Sequence, residues 1–170
     1  MAVTQQLARV PAEYLAACRR AAEESPEGDH RWDPPSADCL DLDWAPFMLE
    51  RACELARLDA VHLGALTRAT DGDHSIDLDF LNAGPHAIAF FANSPATALC
   101  PDAVVQVSAL LGAIDMEGIL RSVRDRGAGS ELGHGFVGDP TDYLLGHFGT
   151  LREFYAEAAR RRLLVVLWSD

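Results

Sequence analysis

The stretch Leu163-Leu164-Val165-Val166-Leu167-Trp168 decides the fold. Every residue in it is apolar, which is typical of a strand that is covered on both faces. The run is far shorter than the roughly 20 residues that a membrane-spanning helix needs. It therefore predicts a fully buried strand of a sheet rather than a membrane anchor.

The segment before this strand predicts the longest helix of the chain. Asp139-Pro140 can start it, because proline is favoured in the first turn of a helix. The positive charges of Arg160-Arg161-Arg162 suit the negative end of the helix dipole. Between them, one apolar stripe at helical spacing predicts the buried face: Leu144, Phe148, Leu151, Tyr155 and Ala158.

Earlier segments predict further helices and strands. Trp44, Phe47 and Met48 share helical spacing with Ala52 and Leu55. Trp44 and Phe47 could line a ligand pocket together with Tyr155, but we expect these aromatic residues in the core. Ile76 to Phe80 alternates apolar and acidic residues, as a half-buried strand does. Other helices are predicted from Pro11, Asp43, Asp59, Pro101 and Asp115, and other strands over residues 2–10 and His86–Phe91.

These elements predict one domain over residues 1–170, because domains usually contain about 100–200 residues. The expected fold class is α/β, helix-rich, with a small, partly parallel mixed sheet packed by helices in three α/β/α layers. No internal repeat or domain-scale linker interrupts the sequence.

The charge balance restricts the possible partners. The chain has 26 acidic residues and 14 basic ones, a net charge of −12, and every basic residue is arginine. Nucleic acids and anionic membranes bind clustered cations, so neither is an expected partner. A basic protein partner is the expectation that the acidity supports, beside its ordinary role in solubility.

The cysteines and the first residues bear on location. Cys18, Cys39, Cys53 and Cys100 are scattered without zinc spacing, so we expect reduced thiols and no metal. The first residues lack the basic and apolar regions of a signal peptide. A cytoplasmic location is the resulting expectation.

Four residues are the best candidates for general acid and base chemistry: His134, Asp139, Asp142 and His147. Two imidazoles near carboxylates can exchange protons near neutral pH. The structural alternatives are an N-cap for Asp139, a favourable first-turn acid for Asp142 and a core position for His147. No nucleophile motif accompanies them.

Two other motifs do not predict a site. Residues 133–138 match G-x-G-x-x-G, but a loop precedes them and the next helix begins only at Pro140, so no dinucleotide cofactor is expected. Asp71-Gly72-Asp73-His74 lacks the calcium-loop pattern, and aspartate and glycine are common in turns.

The chain resembles the YfbM-like family, domain of unknown function 1877, in the order and spacing of several motifs along nearly its whole length. They are the opening strand and helix, Leu40–Trp44, Arg68–Gly72, Gly84-Pro85, and Phe154-Tyr155 with Ala158-Ala159 before the last strand. The resemblance implies a compact three-layer α/β domain and no particular activity. The chain departs from the family pattern at Asp43, Met48, Ala87 and Arg162, where the family has a basic residue, His, Arg and Gly, so the resemblance transfers no site.

The sequence leaves more than one function open. The leading hypothesis is a non-catalytic acidic binding protein that neutralises or regulates a basic partner. The alternative is a small hydrolase-like enzyme that uses His134 or His147 with Asp139 or Asp142. A small-molecule sensor is not separable from the first hypothesis by sequence, and the oligomeric state stays open.

Overall fold

A computed structural model describes residues 4–89, 94–132 and 136–170 of the chain. Within these ranges the chain forms four strands and seven α-helices. Their bounds are β1 Gln5–Val10, α1 Ala12–Glu24, β2 Cys39–Asp41, α2 Ala45–Leu55, α3 Ala60–Asp71, α4 Asp79–Asn82, β3 Thr97–Leu99, α5 Pro101–Gly112, α6 Met116–Asp125, α7 Thr141–Arg160 and β4 Leu164–Ser169.

The four strands form one sheet in the order β2-β1-β4-β3, and every neighbouring pair is antiparallel. The α/β class is confirmed, but the prediction of a partly parallel sheet is wrong. Burial on both faces depends on helices covering the sheet from two sides. Burial on both faces therefore does not determine whether neighbouring strands are parallel or antiparallel, and the apolar run at β4 is compatible with either arrangement.

Alternate residues of the two central strands enter two separate apolar clusters. Leu7 of β1 and Val165 of β4 join the larger cluster, which α2, α3 and α5–α7 complete. Ala8 of β1 and Val166 of β4 join the smaller cluster, to which α1 and α4 contribute. The sheet therefore buries both faces, as the unbroken apolar run of β4 predicts.

The predicted stripe of α7 is confirmed, since all five of its residues are buried. The Tyr155 hydroxyl donates to the Ala69 carbonyl at 2.9 Å, which ties α7 to the end of α3. After α7 the chain reverses at Arg162, whose φ of 57° lies in the left-handed region. Leu163 N–H then donates to Ala158 O at 2.9 Å, the closing bond of a helix C-cap that leads directly into β4.

Helices α5 and α6 supply much of the larger cluster through side chains such as Val104, Leu111 and Leu120. Among the described residues, no single helix has the length and apolar composition to cross a membrane. Taken together, α5 and α6 meet those two criteria, although a bend of 51° separates them.

The segment Ile76–Phe80 is not a strand, so that prediction is wrong. The Asp77 carboxylate accepts from the backbone N–H of Asp79 at 3.0 Å and is also bound by Arg19 at 2.8 Å. The alternating acids therefore make a turn into the short helix α4 instead of facing solvent along a strand. The predicted strand His86–Phe91 is also wrong where it is described, because Gly84–His86 is a 3₁₀ turn and residues 87–89 are irregular. Residues 90 and 91 lie outside the described residues.

The buried face of α2 differs from the prediction. Trp44 lies at the N-cap, where its side chain is 57% exposed, and Phe47 is 70% exposed. A second stripe is buried instead: Ala45, Met48, Leu49, Ala52 and Cys53. Its small residues let α2 pack closely against α7, α3 and α6, so the larger aromatic side chains are left outside.

An arginine connects β1, the turn before β2 and α7. Arg9 Nε donates to Asp38 Oδ1 at 2.8 Å, Arg9 Nη1 donates to Phe154 O at 3.3 Å, and its guanidinium lies 4.9 Å from the centre of the Phe154 ring. Arg161 binds the same carboxylate at 2.6 Å. Hydrogen bonds from Arg161 and then Arg9 hold the pKa of Asp38 below its usual value.

A pair of phenylalanine substitutions tests this assignment of core and surface. Phe148 is 3% exposed, so Phe148→Ala should lower the free energy of unfolding by about 3–5 kcal/mol. Phe47→Ala should change it by no more than about 0.5 kcal/mol, because that ring is exposed. Urea denaturation of both variants beside the wild type measures the difference. Equal losses would show that the face of α2 is misassigned.

The ion pairs at Asp38 predict a pH dependence. The pKa of Asp38 is lower in the folded chain than in the unfolded chain, where it is about 3.9. Its contribution to stability is therefore complete above about pH 5 and is lost as the pH falls through the folded-state pKa. The difference in unfolding free energy between the wild type and Asp38→Asn should be constant above about pH 5 and shrink below about pH 4. A difference that persists unchanged in acid would refute this.

Candidate functional site

The candidate residue Asp139 acts on the backbone at the start of α7. Its Oδ1 accepts from the N–H and the hydroxyl of Thr141, at 2.9 and 2.6 Å. Arg124 lies 3.8 Å from its Oδ2. The Thr141 hydrogen bonds, then the charge of Arg124, hold the pKa of Asp139 below its usual value. An exposed carboxylate of lowered pKa that supports a helix start is a poor general base near neutral pH.

The remaining candidates do not surround Asp139. Asp142 is exposed in the first turn of α7, and His147 is half-buried with its ring centre 4.4 Å from that of Tyr143. Residues five apart on an α-helix point about 140° apart around its axis, so Asp142 and His147 do not face each other. No hydrogen bond joins any two of these three side chains within the described ranges. His134 lies outside the described residues, and the acid and base role of all four stays a prediction.

Four aromatic residues lie in segments that meet at the surface, because Tyr143 of α7 contacts the backbone of Trp44 at the start of α2 and the ring of Phe136 in the loop before α7. We call Trp44, Phe47, Phe136 and Tyr143 the aromatic surface. Trp44 is 57%, Phe47 70% and Phe136 41% exposed. Trp44 is the N-cap residue of α2 and Phe47 lies in the first turn of that helix.

Tyr143 organises this surface. Its hydroxyl accepts from the backbone N–H of Trp44 at 3.2 Å and donates to Asp43 Oδ2 at 3.1 Å. Its ring centre lies 5.3 Å from that of Phe136. Burial, then the hydrogen bond and charge of Asp43, raises the pKa of Tyr143, so its hydroxyl keeps its proton near neutral pH. One side chain thus fixes Trp44, Asp43 and Phe136 relative to α7.

Two carboxylates border the aromatic surface. Asp41 Oδ1 accepts from Asp43 N–H at 2.7 Å, and Asp43 has a φ of 51°, in the left-handed region that aspartate tolerates better than most residues. Asp43 Oδ2 accepts from the Tyr143 hydroxyl at 3.1 Å, and the charges of Asp43 and then Asp41 contribute to the raised pKa of Tyr143. The surface therefore combines exposed rings with fixed negative charge.

A sequence signal for this surface existed in α2. The residues at 45, 48, 49, 52 and 53 follow the spacing i, i+3, i+4, i+7 and i+8 and describe a buried stripe without Trp44 or Phe47. Weighing both stripes of α2 would have identified the two exposed rings. The contact of Trp44 with Tyr143 carried no signal in the sequence, because it joins residues that are 99 positions apart.

The clefts of the structure offer less chemistry, and the first of them adjoins the aromatic surface at Phe136. One of about 470 Å³ lies between α6 and the start of α7, where Arg124, Phe136 and Asp139 line it. Another, of about 230 Å³, contains Asp71 and His74 beside β4. Across the ranges that the structure describes, no group of three or more His, Cys, Asp or Glu side chains could hold a metal ion.

The buried imidazole of His30 is accounted for by structure. It is 4% exposed, its Nδ1 accepts from Trp32 N–H at 3.0 Å, and its Nε2 lies 2.6 Å from the carbonyl oxygen of His86. A neutral ring with its proton on Nε2 satisfies both contacts. His30 therefore ties two loops together rather than facing a cleft.

No protein-family model matches the chain, and the comparison with curated proteins finds no match. Among solved structures, the chain is similar to the crystal structure of a protein of unknown function, YfbM from Escherichia coli. The TM-score is 0.58 and the sequence identity is 14%, and the match covers 98% of this chain and 99% of that chain. The chain has a YfbM-like fold. The resemblance seen in the sequence is confirmed at the level of this fold, and the YfbM-like fold itself indicates no activity.

The acid and base prediction has a direct test. We expect the wild type to hydrolyse none of a panel of p-nitrophenyl esters and phosphates faster than buffer does, because Asp142 and His147 point apart and Asp139 is engaged by Thr141. Product release is followed by absorbance, with His147→Ala as the matched variant. Turnover that His147→Ala abolishes would establish the enzymatic alternative.

Proposed function

We propose that the protein is a non-catalytic binding protein that recognises a basic partner protein through its acidic surface. The described candidates for catalysis do not converge, whereas charge and exposed rings do occur together. Electrostatic complementarity of this kind speeds association and selects between partners. Neutralisation or regulation of the partner is the biological role that fits such binding.

The observation that supports this proposal is that most arginines form ion pairs within the chain. Nine of the 14 have a guanidinium nitrogen within 4.0 Å of a carboxylate oxygen of the same chain, at Arg9, Arg19, Arg51, Arg68, Arg121, Arg124, Arg160, Arg161 and Arg162. The chain therefore neutralises most of its own cations. Acids remain in excess, and a partner can meet that negative charge without competing arginines at the same place.

A pull-down from the lysate of the native host tests the proposal. We expect the immobilised protein to retain one basic protein in stoichiometric amount at low salt and to release it as salt is raised, because exposed charges are screened by salt. Mass spectrometry identifies the eluate. An unrelated acidic protein of similar size and net charge serves as the control bait and should not retain that protein.

Two results would contradict the proposal. One is a bait that retains nothing above the control. The other is a partner whose purified complex has the same dissociation constant at low and high salt by calorimetry, since a contact between opposite exposed charges must weaken with ionic strength.

A further inference from the structure

We infer that the aromatic surface is the docking site and that its occupant is an arginine-bearing basic segment of the partner protein. This inference rests on the proposed function and adds the place and the chemistry of recognition. Its four members are Trp44, Phe47, Phe136 and Tyr143, as defined above.

Exposed rings are the first reason. Trp44 and Phe47 are more than half exposed although smaller residues of α2 are buried. Aromatic side chains supply much of the binding energy at protein interfaces, because a ring buries a large area with few rotatable bonds. A cluster of such rings on a water-facing surface is typical of a binding site.

The second reason is that the surface is already ordered. Tyr143 holds the Trp44 backbone and the Asp43 carboxylate at 3.2 and 3.1 Å, and Asp41 holds the Asp43 backbone at 2.7 Å. A ligand that meets these groups need not order them first, which lowers the entropy cost of binding.

Charge complementarity selects a cation. Asp41 and Asp43 lie beside the rings, while Arg51, one turn beyond Phe47 on α2, is bound by both Glu54 and Glu131 at 3.2 Å. The positive charge nearest to Phe47 along the helix is therefore already neutralised. Arg124 lines a cleft together with Phe136 and lies 3.8 Å from Asp139 Oδ2, so this cation also has an acidic neighbour. A partner therefore meets an excess of negative charge at this surface, and a second copy of this chain would bring acids against acids.

Arginine fits this surface better than lysine. A planar guanidinium can lie on a ring while its N–H groups bind carboxylates, whereas an ammonium is a compact, strongly hydrated charge. The chain uses this arrangement twice internally. Arg9 lies 4.9 Å from the Phe154 ring centre while it binds Asp38, and Arg19 lies 4.7 Å from that of Phe80 while it binds Asp77. At the aromatic surface the rings and the carboxylates are present and the arginine is to come from the partner.

Fluorescence anisotropy with labelled peptides tests the inference on the full chain. The probes are short peptides of alternating glycine with arginine, lysine or citrulline, the last being a neutral analogue of arginine. We expect the arginine peptide to bind most tightly and the citrulline peptide to show no measurable binding. Trp44→Ala should weaken binding of the arginine peptide at least about tenfold, as loss of a central interface ring does.

Matched variants distinguish binding at the aromatic surface from binding through the general acidity of the chain. Asp41→Asn with Asp43→Asn keeps side chains that can accept the same hydrogen bonds and tolerate the left-handed backbone, yet removes two charges, so it should weaken binding at least about tenfold. The controls are Val61→Ala, an exposed apolar residue of α3, and Glu13→Gln with Glu24→Gln on α1. Each control should change the dissociation constant by less than about twofold. Circular dichroism confirms that every variant is folded.

The outcomes distinguish two failures. Salt-sensitive binding that Trp44→Ala and the double aspartate variant leave unchanged would overturn the docking site and leave the proposed function standing. A wild type that binds neither the arginine nor the lysine peptide, and no basic protein, would overturn both. A wild-type dimer that Trp44→Ala makes monomeric in light scattering would assign the surface to a second copy and overturn the inference.

Discussion

The pairing of β1 with β4 is the interaction on which the rest of the structure depends. Its register runs from Gln5 opposite Ser169 to Val10 opposite Leu164, and it brings the first and last strands together at the centre of the sheet. Each helix packs on one of the two faces that this pair creates. Because α7 enters β4 through the left-handed turn at Arg162, the position of the longest helix is fixed by the same pairing. The same pairing therefore positions the aromatic surface, since Tyr143 lies on α7.

The sequence predicts an element reliably where several independent sequence features of that segment agree. The α7–β4 segment combines a long apolar stripe, basic residues at the helix end and an unbroken apolar run, and its helix and strand are confirmed. The short segment at Asp77 carries only an alternation, which a turn stabilised by its carboxylate reproduces equally well. In α2 two stripes overlap, and packing density against α7 selects the one with small residues. Strand direction had no local signal.

The candidate site could be predicted from the sequence even less well than the fold. The sequence identified Asp139, Asp142 and His147 because titratable residue types can be read from it directly. Asp142 and His147 nevertheless point apart around α7, and Asp139 precedes that helix. Asp43 and Trp44 meet Tyr143 through two hydrogen bonds between distant segments, and Phe136 joins them through its contact with the Tyr143 ring. Recognition by rings and carboxylates needs no catalytic motif, so no motif could reveal it. Net acidity predicts the charge of the expected partner, and the aromatic surface is the place that we propose for it.

The meeting of Thr4 and Asp170 has a mechanical consequence. These two residues exchange backbone hydrogen bonds of 2.8 and 3.0 Å, directly before β1 and after β4. A force that pulls the two positions apart acts across an antiparallel ladder from its end, so the hydrogen bonds break one after another instead of sharing the load. The central strands would therefore peel apart at low force. An unfoldase that pulls on the chain at Thr4 or at Asp170 would meet the sheet in its weakest direction, however stable the core is to heat or urea.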